Sequence, residues 1–154
     1  MGERQVVVGL GAWARGDDAV GLMVAERLRP TSAAGPRVTV GCPDAMALVA
    51  ALDGADAAVL VDALEDAGAP PGTIRCLDLA HRPPPLAPGR TSSHGDALGT
   101  GWRLARALGV LPARTTLVGI VGARFDLGAP LSRAVRDAVD EAAERATAAL
   151  LSST

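Results

Sequence analysis

Three short segments hold the side chains that could do chemistry. Asp62 closes the apolar run Ala57-Ala58-Val59-Leu60-Val61. A carboxylate is costly to bury without partners, so Asp62 is expected where a strand leaves the core. Gly9-Leu10-Gly11-Ala12-Trp13-Ala14-Arg15-Gly16-Asp17-Asp18 follows the first strand, and Ser92-Ser93-His94-Gly95-Asp96 opens a later helix. The carboxylates of Asp18 and Asp62 with the imidazole of His94 are hard and borderline donors suited to zinc or nickel. Three protein ligands leave an open coordination position, as in a working site rather than a closed structural one. The plainer readings stand beside this one. Asp17 and Asp18 both suit a helix N-terminus, with Asp17 as the cap of the helix that follows. Asp62 could be a strand-end carboxylate held by loop amides, His94 an exposed helix-start residue, and Asp96 a cap.

Other chemistries fit less well. Gly9-x-Gly11-x-x-Ala14 matches a loose dinucleotide fingerprint, but that motif needs the helix to begin among the glycines so that pyrophosphate meets its N-terminus. Here Asp17 and Asp18 put negative charge where phosphate would lie. No G-x-S-x-G nucleophile elbow occurs, and neither cysteine has a histidine beside it in sequence. A serine nucleophile at Ser92 or Ser93 would need His94 to face it from an adjacent helix-start position. His81 lies in a Pro-rich loop and receives no role.

The elements that must position these groups fit one domain, 1–154, with a core of Ala, Val and Leu. All 15 basic residues are Arg, and a net charge of −2 with mixed signs argues against a nucleic-acid surface. No apolar run approaches the roughly 18 residues of a membrane span. Cys42 and Cys76 lack C-x-x-C spacing, and both are expected as buried thiols in a reducing compartment. With no secretory leader pattern at the N-terminus, a cytoplasmic location is expected.

Hydrophobic periodicity predicts strands at 5–10, 37–41, 57–61, 73–79 and 115–121. Helices are predicted from Asp17, over 43–52 with Met46, Val49 and Ala50 inward, over 95–108, and over 130–151. Leu98, Trp102, Ala105 and Leu108 are expected on the inner face of the third helix. Leu131, Val135, Val139, Ala142, Ala146 and Leu150 are expected on that of the last. Ser93 and Asp96 have capping-box spacing. Residues 63–72 are too few for a crossover helix, so 73–79 is expected to run antiparallel. The expected fold is an α/β three-layer α/β/α sandwich with a five-stranded, mostly parallel twisted sheet and one antiparallel strand. In such sheets ligands bind beyond the carboxyl ends of the strands at the switch point. If the first and third strands flank it, Asp18 and Asp62 meet there.

At these residues the chain resembles the nickel–iron hydrogenase maturation endopeptidase family. The resemblance runs through Val7-Val8-Gly9-Leu10-Gly11 with Asp17-Asp18 and Gly21, then Val59-Leu60-Val61-Asp62-Ala63 and Pro71-Gly72-Thr73. It continues through Thr91-Ser92-Ser93-His94-Gly95, Val118-Gly119-Ile120 and Pro130-Leu131-Ser132. It implies an endopeptidase that removes the C-terminal extension of a hydrogenase large-subunit precursor once nickel is inserted. It also implies that Asp18, Asp62 and His94 are the metal-contacting and catalytic residues of a nickel-dependent, aspartate-type or metal-recognising reaction, and that the nickel arrives with the substrate. Two positions depart from the family pattern. Ala12 stands where Asn is usual, so a turn-locking side chain is missing, and Asp96 stands where an apolar residue is usual. Residues 122–126 also lack an expected Glu-Pro pair. The Ala12 and Asp96 departures suggest an alternative, a non-catalytic, divergent factor that only binds a metalloprotein.

Overall fold

The computed structural model describes residues 2–85 and 96–152. Among these residues, five strands and four helices follow in the order β1 (Gln5–Gly9), α1 (Val20–Arg27), β2 (Arg37–Val40), α2 (Ala45–Leu52), β3 (Ala57–Leu64), β4 (Ile74–Asp78), α3 (Ala97–Ala107), β5 (Arg114–Val121) and α4 (Arg133–Leu151). A 3-10 turn, Gly16–Ala19, leads into α1.

The sheet order is β2-β1-β3-β5-β4. The first four strands in that order are parallel, and β4 lies antiparallel on the edge of β5. The chain winds outward from β1 to β2, then returns past β1 to β3. The switch point therefore lies between β1 and β3, which is the condition for Asp18 and Asp62 to come to one place. Alternation along the strands sends Val7, Val59, Val61 and Val118 toward α1 and α4. Val6, Val8, Leu60 and Leu117 point toward α2 and α3. Both faces of the sheet are thus covered, which is why β1 and β3 read as continuous apolar runs rather than alternating ones. No helix among the described residues is long and apolar enough to cross a membrane.

Several expected details shift. β3 does not end before Asp62. It runs on to Leu64, because β5 is long enough to pair with it that far. α2 begins at Ala45, with Asp44 as its cap accepting from Ala47 N at 2.8 Å. Its inner face is Leu48, Val49 and Leu52, while Met46 and Ala50 are exposed. α3 begins at Ala97, and Leu108 is 59% exposed because the helix has already ended, next to Gly109 at φ +73°. Cys42 is buried as expected, but Cys76 is exposed on the edge strand β4.

Candidate functional site

The site is set by how α1 seats on the sheet. A Cβ on Gly21 would lie 2.4 Å from both Leu10 O and Val61 O, and one on Gly9 would lie 2.5 Å from Gly21 O. Glycine at both positions lets the start of α1 press onto the carboxyl ends of β1 and β3. The segment between β1 and α1 must then turn back within a few residues. Leu10 N donates to Val61 O at 2.8 Å, and Gly11 follows at φ +123°, a conformation that favours glycine. A Cβ there would lie 1.9 Å from Asp18 O and 3.6 Å from Asp18 Cγ. Asp18 is therefore folded directly over Gly11, just beyond the end of β1. It is largely buried, at 8% exposure. The turn is closed by Arg15 N donating to Ala12 O and Asp18 N donating to Arg15 O.

Asp62 stands one residue beyond the partner of Gly9 in β3, since Gly9 pairs with Val61. Relative to β1 it lies past the end of the strand, although β3 itself continues. Its Oδ1 accepts from Ala63 N at 2.8 Å, and the residue is half-buried. Its neighbour in β5 is Gly119, over which Leu64 lies. Asp18 and Asp62 are thus brought to the same carboxyl edge at the switch point. Asp62 shares its face with Ala58 and Leu60, the face covered by α2 and α3.

The third candidate, His94, lies outside the described residues, as does Ser93 of the expected capping box. The helix that follows is described from its cap. Asp96 accepts from Gly99 N at 3.1 Å and from Thr100 Oγ1 at 3.0 Å. The acid that departs from the family pattern is therefore the N-cap of α3. A Cβ on Gly101 would lie 3.2 Å from Ala45 O and 2.7 Å from Leu48 Cδ2, so the first half of α3 packs on the start of α2. α2 in turn begins just after the carboxyl end of β2, so α3 opens toward the same edge as Asp18 and Asp62. Among the described residues, no group of three or more His, Cys, Asp and Glu side chains is placed to hold a metal ion. His81 pairs with Asp78 on the exposed surface at 3.2 Å and takes no part.

Asp17 corrects the reading of it as a helix cap. The turn at Gly16–Ala19 has no side-chain cap. The Asp17 carboxylate is fully buried and points away from α1, into the connection between β5 and α4. Oδ2 accepts from Ala123 N at 2.7 Å, Arg124 N at 3.0 Å and Ser132 Oγ at 2.9 Å, and Oδ1 accepts from Ser132 N at 2.7 Å. Burial pushes its pKa up, but the N–H groups of Ala123, Ser132 and Arg124 and the Ser132 hydroxyl outweigh that. The carboxyl is held below its ordinary value. Sequence reading missed these partners because backbone N–H groups leave no mark in residue type. The one available signal was glycine at Gly16 and Gly122. A Cβ on Gly16 would lie 2.5 Å from Arg124 O, and one on Gly122 would lie 2.9 Å from Asp17 Cβ.

A family model, HycI, described as hydrogenase maturation protease, matches residues 24–149, a span that includes Asp62 and His94. The hydrogenase maturating endopeptidase HybD from E. coli has a similar structure, with a TM-score of 0.77 and 24% identity over 96% of this chain and 91% of that one. The NiFe hydrogenase maturation protease HybD from Thermococcus kodakarensis aligns with a TM-score of 0.72 and 24% identity, over 96% of this chain and 99% of that one. The hydrogenase 2 maturation peptidase from a Thaumarchaeota archaeon gives 0.68 and 22%, over 97% and 99%. At these identities the structural likeness speaks for the fold. No curated protein matches the chain.

Proposed function

This chain belongs to the hydrogenase maturation protease family, and on that premise we propose that it cuts the C-terminal extension from a nickel-loaded hydrogenase large-subunit precursor, with Asp18, Asp62 and His94 gripping the nickel that the substrate brings. The observation that carries this reading is the folding of Asp18 over Gly11 at the switch point where Asp62 also emerges. Two carboxylates, one on the turn after β1 and one on the adjacent parallel strand β3, supply the negative charge and hard oxygen donors that a divalent ion needs, and an imidazole completes a donor set suited to nickel.

The metal belongs to the substrate. Gripping it fixes the precursor's C-terminal region against the sheet edge and brings the scissile bond to a fixed place. Positioning of that kind removes much of the entropic barrier to hydrolysis. A metal so held can also polarise a carbonyl or lower the pKa of a bound water. The two free cysteines, Cys42 and Cys76, support a reducing, cytoplasmic setting for the reaction.

The test is cleavage of a precursor prepared with and without nickel. The nickel-loaded form should lose its C-terminal peptide and the nickel-free form should stay intact. Asp62→Asn keeps the oxygen that accepts from Ala63 N but removes the charge, so it should fold and fail to process. His94→Ala should do the same. Processing by Asp62→Asn at the wild-type rate would sink the assignment of the site.

A further inference from the structure

We propose that Asp17 is a positioning residue for the reaction: its buried carboxylate clamps the turn that carries Asp18 onto the connection between β5 and α4, and so fixes Asp18 at the switch point. The proposal rests on the reading of Asp18 as a nickel-gripping residue. Asp17 itself touches neither metal nor peptide in this scheme.

The clamp consists of several independent contacts between the same two segments. Gly128 N donates to Ala14 O at 2.7 Å, and Asp17 N donates to Arg124 O at 2.7 Å. Gly16, at φ +58°, approaches Arg124 O so closely that no side chain fits between them. The Asp17 carboxylate then gathers the N–H groups of Ala123, Arg124 and Ser132 together with the Ser132 hydroxyl. Ser132 stands at the N-cap of α4, yet its hydroxyl makes no cap bond and is spent on Asp17. Asp18 is the next residue along a chain pinned on one side by this network and on the other by Gly11. Its backbone has little room to move unless the clamp lets go.

A carboxylate is required here because all four of its partners donate. Asparagine has the same shape but offers one acceptor oxygen and one donor group, so at least one N–H or O–H would face an N–H. The chain would relieve that conflict by shifting the turn, and Asp18 would move with it.

The experiment compares steady-state processing of nickel-loaded precursor by the wild-type protein, Asp17→Asn and Val139→Ala. The last is a remote control that loosens the buried face of α4. Asp17→Asn should lower kcat by roughly ten- to a hundred-fold, as small misplacements of reacting groups do, with KM changed less than about two-fold. Val139→Ala should keep the wild-type kcat at a temperature where both variants are folded. An unchanged kcat in Asp17→Asn, or an equal loss in Val139→Ala, overturns the proposal. If Asp17→Asn does not fold, Ser132→Ala decides. It removes one of the four bonds, which corresponds to a few-fold loss of kcat, and a wild-type kcat in that variant overturns the proposal. If the wild-type protein itself does not cleave, the functional reading fails first, and that result is distinct from the others.

Discussion

Cys42 and Asp17 are both buried ionisable groups, and their surroundings treat them in opposite ways. Asp17 is surrounded by donors that favour its charged form. Cys42 is pushed up to about 11 by burial and by the nearby Asp44 carboxylate, against a weaker opposing hydrogen bond with the Asp44 backbone. Its pKa is raised on folding, so the stability it contributes is complete below the unfolded value of about 9 and disappears as pH rises through 11. A shift of that size corresponds to about 2 to 3 kcal/mol. The chain has no Lys and no Tyr, so the side chains that most often titrate in this alkaline window are missing. Urea midpoints measured from pH 8 to 11 should fall steeply for the wild-type protein and much less for Cys42→Ala, which removes the group. A parallel fall in both would assign the loss to another group. Residue type alone foretold the burial of Cys42 but not the exposure of Cys76, because burial on an edge strand depends on which face packs and the flanking sequence does not mark it. The same limit applied to Asp17, whose partners are backbone amides far along the chain.

The register of β1 against β3 decides whether Asp18 and Asp62 meet, and α1 can rest on that pair only because Gly9 and Gly21 lack side chains. Gly21→Ala adds a methyl group 2.4 Å from two backbone carbonyls, that of Leu10 just past β1 and that of Val61 in β3. Neither carbonyl can swing aside as a side chain would, so α1 must lift from the sheet. Helix propensity favours alanine by about 1 kcal/mol, while overpacking typically costs 1 to 3 kcal/mol and sometimes more. Rigid backbone on both sides puts this case at the upper end. Urea denaturation should show a net loss of about 2 kcal/mol, with processing reduced further than the loss of folded protein explains. A variant as stable as the wild type would show that the helix has slack. The positions of the strands and the antiparallel run of β4 were legible from periodicity and from the short 63–72 connection. The inner face of α2 was not, because Ala45-Met46-Ala47-Leu48-Val49-Ala50-Ala51-Leu52 is apolar all round and has no polar side to fix its phase. The end of β3 was misplaced because a charge at Asp62 looks like an exit from the core. Pairing with β5 carries the strand three residues further, through Leu64.

On the scale of the whole molecule, the two departures from the family pattern that suggested a non-catalytic factor both have local structural explanations. Asp96 caps α3. The turn after Ala12 is closed by backbone bonds and by the close seat of Gly11 under Asp18. Both Asp18 and Asp62 still stand at the carboxyl edge of the sheet. The proposed reaction also closes as a cycle. Hydrolysis consumes a peptide bond and a water, the nickel leaves with the mature subunit, and the protein returns to its starting state with no group used up. The expected behaviour is therefore turnover. With nickel-loaded precursor in many-fold excess, gel analysis should show nearly all of it shortened, and the protease should run free of product on size exclusion. A binding factor would instead saturate as a stoichiometric complex with uncut precursor. Processing that stops at one equivalent, with the nickel retained by this chain, would contradict the assignment of the metal to the substrate.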